Sequence, residues 1–157
     1  MAKKGKEDKK PGPASIHNRK ARYDYEIIET FEAGVALIGA EVKSIYLGRV
    51  NLTDAYCRVM NGEAWLLNAD IEPYDKTHHF APERRRDRKL LLHRREIDLI
   101  SRKAQEKGLT IIPLAMYFKR GKVKVEVALG RGKRQYDKRE QIAKKEERRE
   151  RERGARD

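Results

Sequence analysis

Residues 109–130 read LTIIPLAMYFKRGKVKVEVALG, and this stretch decides the fold class. From Lys122 the chain alternates: Val123, Val125, Val127 and Leu129 fall on one side, Lys122, Lys124 and Glu126 on the other. That is the period of a strand with one buried face. The run before it is apolar and rich in strand formers, and Lys119-Arg120-Gly121 joins the two as a short hairpin with Gly121 at the tight position. Pro113 has no N–H to give a ladder, so its strand is expected to bulge or to lie at an edge there.

The same signals continue upstream. Asn61-Gly62 suits a type I′ turn between two short strands, and Glu63, Trp65, Leu67, Ala69 and Ile71 alternate onto one side. YEIIETFEAGVALIG, residues 25–39, supplies one long bent strand or two, with Gly34 as the expected break. Two helices interrupt the strands. AEVKSIYLG is short and ends at Gly48; HRREIDLISRKAQEKG places Ile97, Ile100 and Ala104 on a stripe that Leu99 widens, and ends at Gly108. The fold expected is mainly β: an OB-type Greek-key barrel of about six antiparallel strands with two or three helices.

Charge divides the 157 residues into three parts. Residues 1–14 hold five Lys against two acids among Gly and Pro, and read as a disordered basic leader. Residues 15–130 hold nearly all the apolar residues and form the domain. Residues 131–157 are a basic tail, with twelve basic and seven acidic residues. The whole chain carries a net charge of +13, a surplus that points to a polyanion, nucleic acid first. Neither end has the apolar face of a membrane-surface helix, and no run approaches the roughly 20 apolar residues of a span. Together with the lone Cys57, which reads as a small buried hydrophobe, this suggests a cytoplasmic protein without disulfides.

Catalytic chemistry finds no foothold. His78 and His79 have no carboxylate or cysteine at ligand spacing, and no hydrolase or zinc-protease motif is present. Gly130 and Gly132 lack the rest of a phosphate-cradling loop. Asp54, Asp70, Asp75 and Asp87 have no spacing that singles them out as a nuclease cluster. No enzyme activity, cofactor or metal is expected.

Basic constellations suit RNA instead. Asn18, Arg19, Lys20 and Arg22 precede the first long strand; Arg and Lys bridge phosphates while Asn reads a base or sugar edge. Arg84, Arg85, Arg86, Arg88 and Lys89 lead into Leu90-Leu91-Leu92, and an extended backbone turns at least one of these leucines outward. Lys122 and Lys124 add a third patch. Folded RNA needs such patches on one side of a barrel.

Read in order, NRKARYDY, FEAGVALIGAEVKSIYLGRVNLTDAY, RKLLLHRREI and GRGKRQYDKRE resemble the small protein B family, the SsrA-binding proteins of bacterial trans-translation. The resemblance runs from about residue 16 to 140, and GAEVKS followed by NLTDAY is its most specific part. It implies an OB-type barrel that binds the tRNA-like part of transfer-messenger RNA (tmRNA) and brings it to ribosomes stalled on messages without a stop codon. Elongation factor Tu is implied in the delivery complex, and the protein is implied to be a monomer. The RNA-facing set implied is Asn18, Arg19, Lys20, Arg22, Glu32, Lys43, Lys89, Leu91 and Lys124. Glu32 is the unexpected member, since electrostatics alone would keep a carboxylate off an RNA face; a Glu there accepts from a base amino group or orients an Arg. His93 stands where the family leads one to expect Asn.

The tail, residues 130–157, reads GRGKRQYDKREQIAKKEERRERERGARD. Asp137 and Glu140 have capping-box spacing, and Glu140–Lys144 and Glu147–Arg151 are favourable pairs one turn apart. Ile142 is the only large apolar residue after Tyr136, so the helix has no face to dock. An isolated helix of about 15 residues is marginal in water; the tail is expected to be disordered alone and helical on a polyanion. The resemblance implies that it enters the empty mRNA channel. There Gly132, Lys133, Arg134, Gln135, Tyr136, Asp137, Lys138 and Arg139 would meet 16S ribosomal RNA at the decoding centre. A generic OB-type ribosomal or initiation protein would explain the barrel and the charge, but not the ordered motifs.

Overall fold

The computed structural model describes residues 12–74, 82–133 and 145–151. Its strands are β1 (Ile16–His17), β2 (Tyr25–Val35), β3 (Val50–Asn51), β4 (Tyr56–Met60), β5 (Glu63–Leu67), β6 (Asp70–Ile71), β7 (Arg88–Leu91), β8 (Thr110–Lys119) and β9 (Lys122–Gly132). The helices are α1 (Arg19–Asp24), α2 (Gly39–Tyr46) and α3 (Arg94–Lys107). Seven strands form one antiparallel sheet in the order β1-β8-β9-β2-β7-β5-β4; β3 and β6 pair separately.

The sheet curls until β4 lies alongside β8 without ladder bonds to it. The cleft between them is lined by Tyr56–Val59 and Leu109–Ile111, and Ser101, Ala104 and Gln105 of α3 cover it. This is the OB-type barrel, with a helix over its open seam. Val123, Val125, Val127 and Leu129 are buried as the alternation requires, with Leu66, Leu90, Met116 and Ile45 among them. At roughly 25 cal/mol per Å² of apolar surface, each such side chain contributes about 1.5–3 kcal/mol on burial.

Turn chemistry closes both hairpins as read. Asn61 (φ 53°) with Gly62 (φ 75°) and Arg120 (φ 53°) with Gly121 (φ 77°) place two successive residues in the left-handed region, as type I′ turns demand. The β8–β9 register shifts between Pro113 and Ala115, so the bulge falls at the proline.

Three details differ from expectation. The irregularity of β2 is a register shift between Ile27 and Glu29, not a break at Gly34; β2 is one continuous strand. The face expected through Glu63, Trp65, Leu67, Ala69 and Ile71 is split: Ala64 and Leu66 point inward, and the left-handed Asn68 (φ 61°) resets the alternation before the buried Ala69 and Ile71. Finally, β9 runs past Gly130, pairing Glu26 with Arg131 and Tyr25 with Gly132, so the barrel extends two residues beyond the expected boundary. Past Lys133, the described residues 145–151 are helical and exposed.

Candidate nucleic-acid interface

Glu32, Lys89, Leu91 and Lys124 meet in one open groove of about 610 Å³, with Gly34, Glu63 and His93 among its other walls. Strand register explains the meeting. Gly34 on β2 pairs with Leu91 on β7 and, across its other edge, with Lys124 on β9. Glu32 and Lys89 lie two residues from Gly34 and Leu91, and so share their faces.

Of the three leucines, Leu90 is buried in the barrel and Leu91 is turned out, 54% exposed. Lys89 donates to Glu63 at 3.3 Å. Glu32 accepts from the Tyr117 hydroxyl at 2.5 Å and from Lys119 Nζ at 3.2 Å. The Tyr117 hydrogen bond, then Lys119 and the charge of Lys124, hold its carboxyl below the usual range, so it is ionised. In return, burial and the Glu32 carboxylate push the Tyr117 phenol up to about 12. Tyr117 and Lys119 were not singled out from the sequence. The available signal was their two-residue spacing on β8, which puts them on one face.

A second group surrounds α1. Arg19 and Lys20 are exposed, and Arg22 reaches Glu126 at 3.4 Å. Asn18 is different: it is 3% exposed, and its side chain is saturated. Its Nδ2 donates to the Leu52 and Pro113 carbonyls at 3.0 and 2.9 Å, and its Oδ1 caps α1 by accepting from Ala21 N–H at 3.1 Å. The polar atoms of the Asn18 side chain are thus bonded within the protein, at the start of the helix that carries Arg19, Lys20 and Arg22. Lys43, on α2, stands apart from the groove with its ammonium 5.2 Å from the Tyr74 ring centre.

The arginine run is also reassigned. Arg88 is buried and bonded to Glu41, and Arg86 pairs with the same carboxylate. Arg84 bonds Asp70 at 2.9 Å, and Arg85 approaches Asp54 and Asp70 at 3.9 Å. The basic run is largely answered by the protein's own carboxylates; Lys89 and Leu91 are its part in the groove. His93 is the N-cap of α3, its N–H donating to Glu96 Oε1 at 3.3 Å. Asn, the residue expected there, is among those favoured at such a cap.

Gly132 ends β9 opposite Tyr25, and Lys133 Nζ donates to the Arg22 carbonyl at 3.4 Å. Arg134, Gln135, Tyr136, Asp137, Lys138 and Arg139 lie outside the described residues. So do His78 and His79. Among the described residues no group of His, Cys, Asp and Glu is arranged to hold a metal, and no helix is long and apolar enough to cross a membrane.

The family model for SmpB protein matches residues 15–157. The chain belongs to the SmpB family. An SsrA-binding protein of Thermobifida fusca is 52% identical, covering 99% of this chain and 98% of its own. One from Trichodesmium erythraeum is 54% identical over 95% and 94%. A solved structure described as "tmRNA-SmpB: a journey to the center of the bacterial ribosome" superposes with a TM-score of 0.64 at 48% identity, covering 75% of this chain and 83% of that one.

Proposed function

We propose that this chain is an SsrA-binding protein that holds the tRNA-like part of tmRNA and serves trans-translation, the rescue of ribosomes stalled on messages lacking a stop codon. It acts by binding, with no catalysis of its own, as a cytoplasmic monomer delivered together with elongation factor Tu. The observation that carries this reading is the convergence of Glu32, Lys89, Leu91 and Lys124 on one groove, in a chain half identical to SsrA-binding proteins.

The groove offers what folded RNA with unpaired bases requires: cations for phosphate, an apolar surface for a base and an acceptor for base amino groups. Arg19, Lys20 and Arg22 on α1 and Lys43 on α2 extend the cationic footprint. In the same reading the tail from Gly132 to Arg139 enters the mRNA channel and meets 16S ribosomal RNA near the decoding centre. Its charge, and the lack of an apolar stripe for docking on the barrel, support that assignment.

The test is tmRNA binding at graded salt. Lys124→Ala and Arg19→Ala should each weaken binding and lower the salt slope by about one, as the loss of one phosphate contact predicts. Glu32→Ala should weaken binding as well; unchanged or tighter binding would remove Glu32 from the interface. A generic ribosomal protein would instead co-purify with ribosomal RNA alone, without tmRNA.

A further inference from the structure

Five of the six residues from Arg84 to Lys89 are cations, and every one of the five faces a carboxylate elsewhere in the chain. Arg19 and Lys20, by contrast, are exposed and have no ion pair among the described residues. Arg84 turns its two-pronged edge to Asp70: Nε donates to Oδ1 at 2.9 Å and Nη2 to Oδ2 at 3.3 Å. An arginine grips phosphate with the same fork, so Asp70 occupies the place a phosphate would take. Arg85 lies 3.9 Å from both Asp54 and Asp70, and its Nη1 donates to Asn68 Oδ1 at 3.2 Å. Asn68 in turn ties this group to the Asp54 backbone, its Nδ2 donating to that carbonyl at 3.2 Å.

Burial explains the partner of Arg88 but not those of its neighbours. The Arg84 and Arg85 side chains are 51% and 47% exposed, so water would solvate them unaided. Exposed ion pairs add little to stability and are screened by salt. Stability alone therefore gives no reason for two carboxylates and an asparagine to converge on two surface arginines. A chain of net charge +13 has a different need. Each free surface arginine adds a phosphate contact to any RNA, whatever its sequence, and so raises affinity for the wrong partner as much as for the right one. A guanidinium already answered by its own chain's carboxylate has no charge to spare for phosphate.

We propose that Asp70 and Asp54 determine specificity by masking Arg84 and Arg85 from RNA. The masked arginines contribute no phosphate contact. The cationic footprint is thereby confined to the residues left free, Arg19 and Lys20 among them, and affinity for unrelated RNA is held down. Discrimination is a difference of affinities, and it widens as much by weakening the wrong complex as by strengthening the right one. The inference rests on the functional reading above in one respect, that RNA is the polyanion, and deepens it by saying how other RNAs are refused.

The experiment titrates the full chain, at graded salt, with a plain RNA hairpin unrelated to tmRNA and with the tRNA-like domain. Asp70→Asn should tighten hairpin binding on the order of fivefold at about 0.1 M salt and steepen its salt slope by about one to two. Arg84→Ala combined with Arg85→Ala should leave hairpin binding unchanged in the wild-type chain, yet abolish the gain in the Asp70→Asn chain. Losing any carboxylate raises the net charge by one, so Asp98→Asn is the control. Asp98 is exposed on α3 and has no ion pair among the described residues, and its gain should be much the smaller. A merely structural role would lower the melting temperature without any gain that depends on the arginines. If Asp70→Asn does not fold, Asp54→Asn decides, with a smaller gain that depends on Arg85. Equal gains in Asp70→Asn and Asp98→Asn, or weaker hairpin binding when the two arginines are removed from the wild-type chain, overturn the masking. A wild-type chain with no preference for the tRNA-like domain overturns the functional reading instead, and the hairpin titrations still judge the masking.

Discussion

Arg88 donates to Oε2 of Glu41 through Nε at 2.8 Å and through Nη2 at 2.5 Å, and the two side chains are 0% and 2% exposed. They join β7, which carries Lys89 and Leu91, to the first turn of α2, which carries Lys43. Glu41 also accepts from the Ile38 N–H at 2.9 Å and pairs with Arg86. Arg88 Nη1 donates to the Ala69 carbonyl at 2.8 Å, and Nη2 to the Arg84 carbonyl at 3.0 Å. One buried ion pair thus anchors a helix start, a strand and the segment that leads into that strand.

Removing Arg88 strips the buried Glu41 carboxylate of its fully buried cation and leaves the partly exposed Arg86 to answer it. Arg88→Met is expected to cost about 3–5 kcal/mol, read from urea denaturation. A loss under about 1 kcal/mol would mean that Glu41 takes up a proton or reaches water at little cost.

The same pair sets an acid limit. Burial pushes the Glu41 carboxyl up, but its bonds to Arg86, the Ile38 N–H and Arg88 outweigh that and hold it below its ordinary value. A depressed folded pKa contributes stability that is present above the unfolded value of about 4.3 and is lost as pH falls through the folded one. Wild-type stability should therefore drop below about pH 4.3, and the gap between wild type and Glu41→Gln should narrow over the same window. A gap that stays constant down to pH 2 would contradict this account.

Asn18 and Arg19 are neighbours with separable roles. Asn18→Ala removes a helix cap and the side-chain donor to two buried carbonyls, of which that of Leu52 keeps the Ala55 N–H, for a cost of roughly 1–3 kcal/mol in thermal or chemical melts. Arg19→Ala should leave the melting temperature within about 1 °C, as surface substitutions do, while lowering RNA affinity at low salt. A stability loss in Arg19→Ala equal to that in Asn18→Ala would collapse the distinction.

Truncation should separate barrel from tail. A cut after Gly130 removes the ladder pairs of Arg131 and Gly132 with β2, so it should lower the melting temperature slightly. A cut after Lys133 spares β9 and should leave both melting and binding of the tRNA-like domain nearly intact. Tagging of stalled peptides in a reconstituted system should fail with either cut, and Asp137, Lys138 and Arg139 replaced together by Ala should reproduce most of that failure. Full-rate tagging by the chain cut after Lys133 would show the tail to be solvated filler.

What the sequence disclosed was what local pattern encodes. The alternation of 122–129, the Asn61-Gly62 turn, the bulge at Pro113 and the α3 stripe all depend on neighbours a few residues apart, and all are present in the fold. What it hid depends on partners far along the chain. Arg88 reads as a surface cation until Glu41, 47 residues away, is brought against it, and Asn18 reads as exposed until the Pro113 carbonyl arrives from 95 residues away. Gly34 reads as a strand breaker because its reason, the close approach of Leu91, lies on another strand. The groove itself was legible only as a set of residues; its shape follows from a register that no local window contains.

That register also governs when the molecule can come into being. β1 pairs with β8 and most of β2 with β9, so apart from the short β2–β7 ladder at Gly34 and Val35 the ladders of residues 16–35 wait for residues 110–132. Such non-local pairing makes for slow folding that gains its stability late. During synthesis the long ladder of β2 cannot form until nearly the whole domain has been made, and any product ending before β9 lacks the strand that supplies Lys124 and backs Gly34. Fragments of this chain should be substrates for proteolysis rather than weak RNA binders. Only a message read through β9 yields a molecule able to grip its RNA.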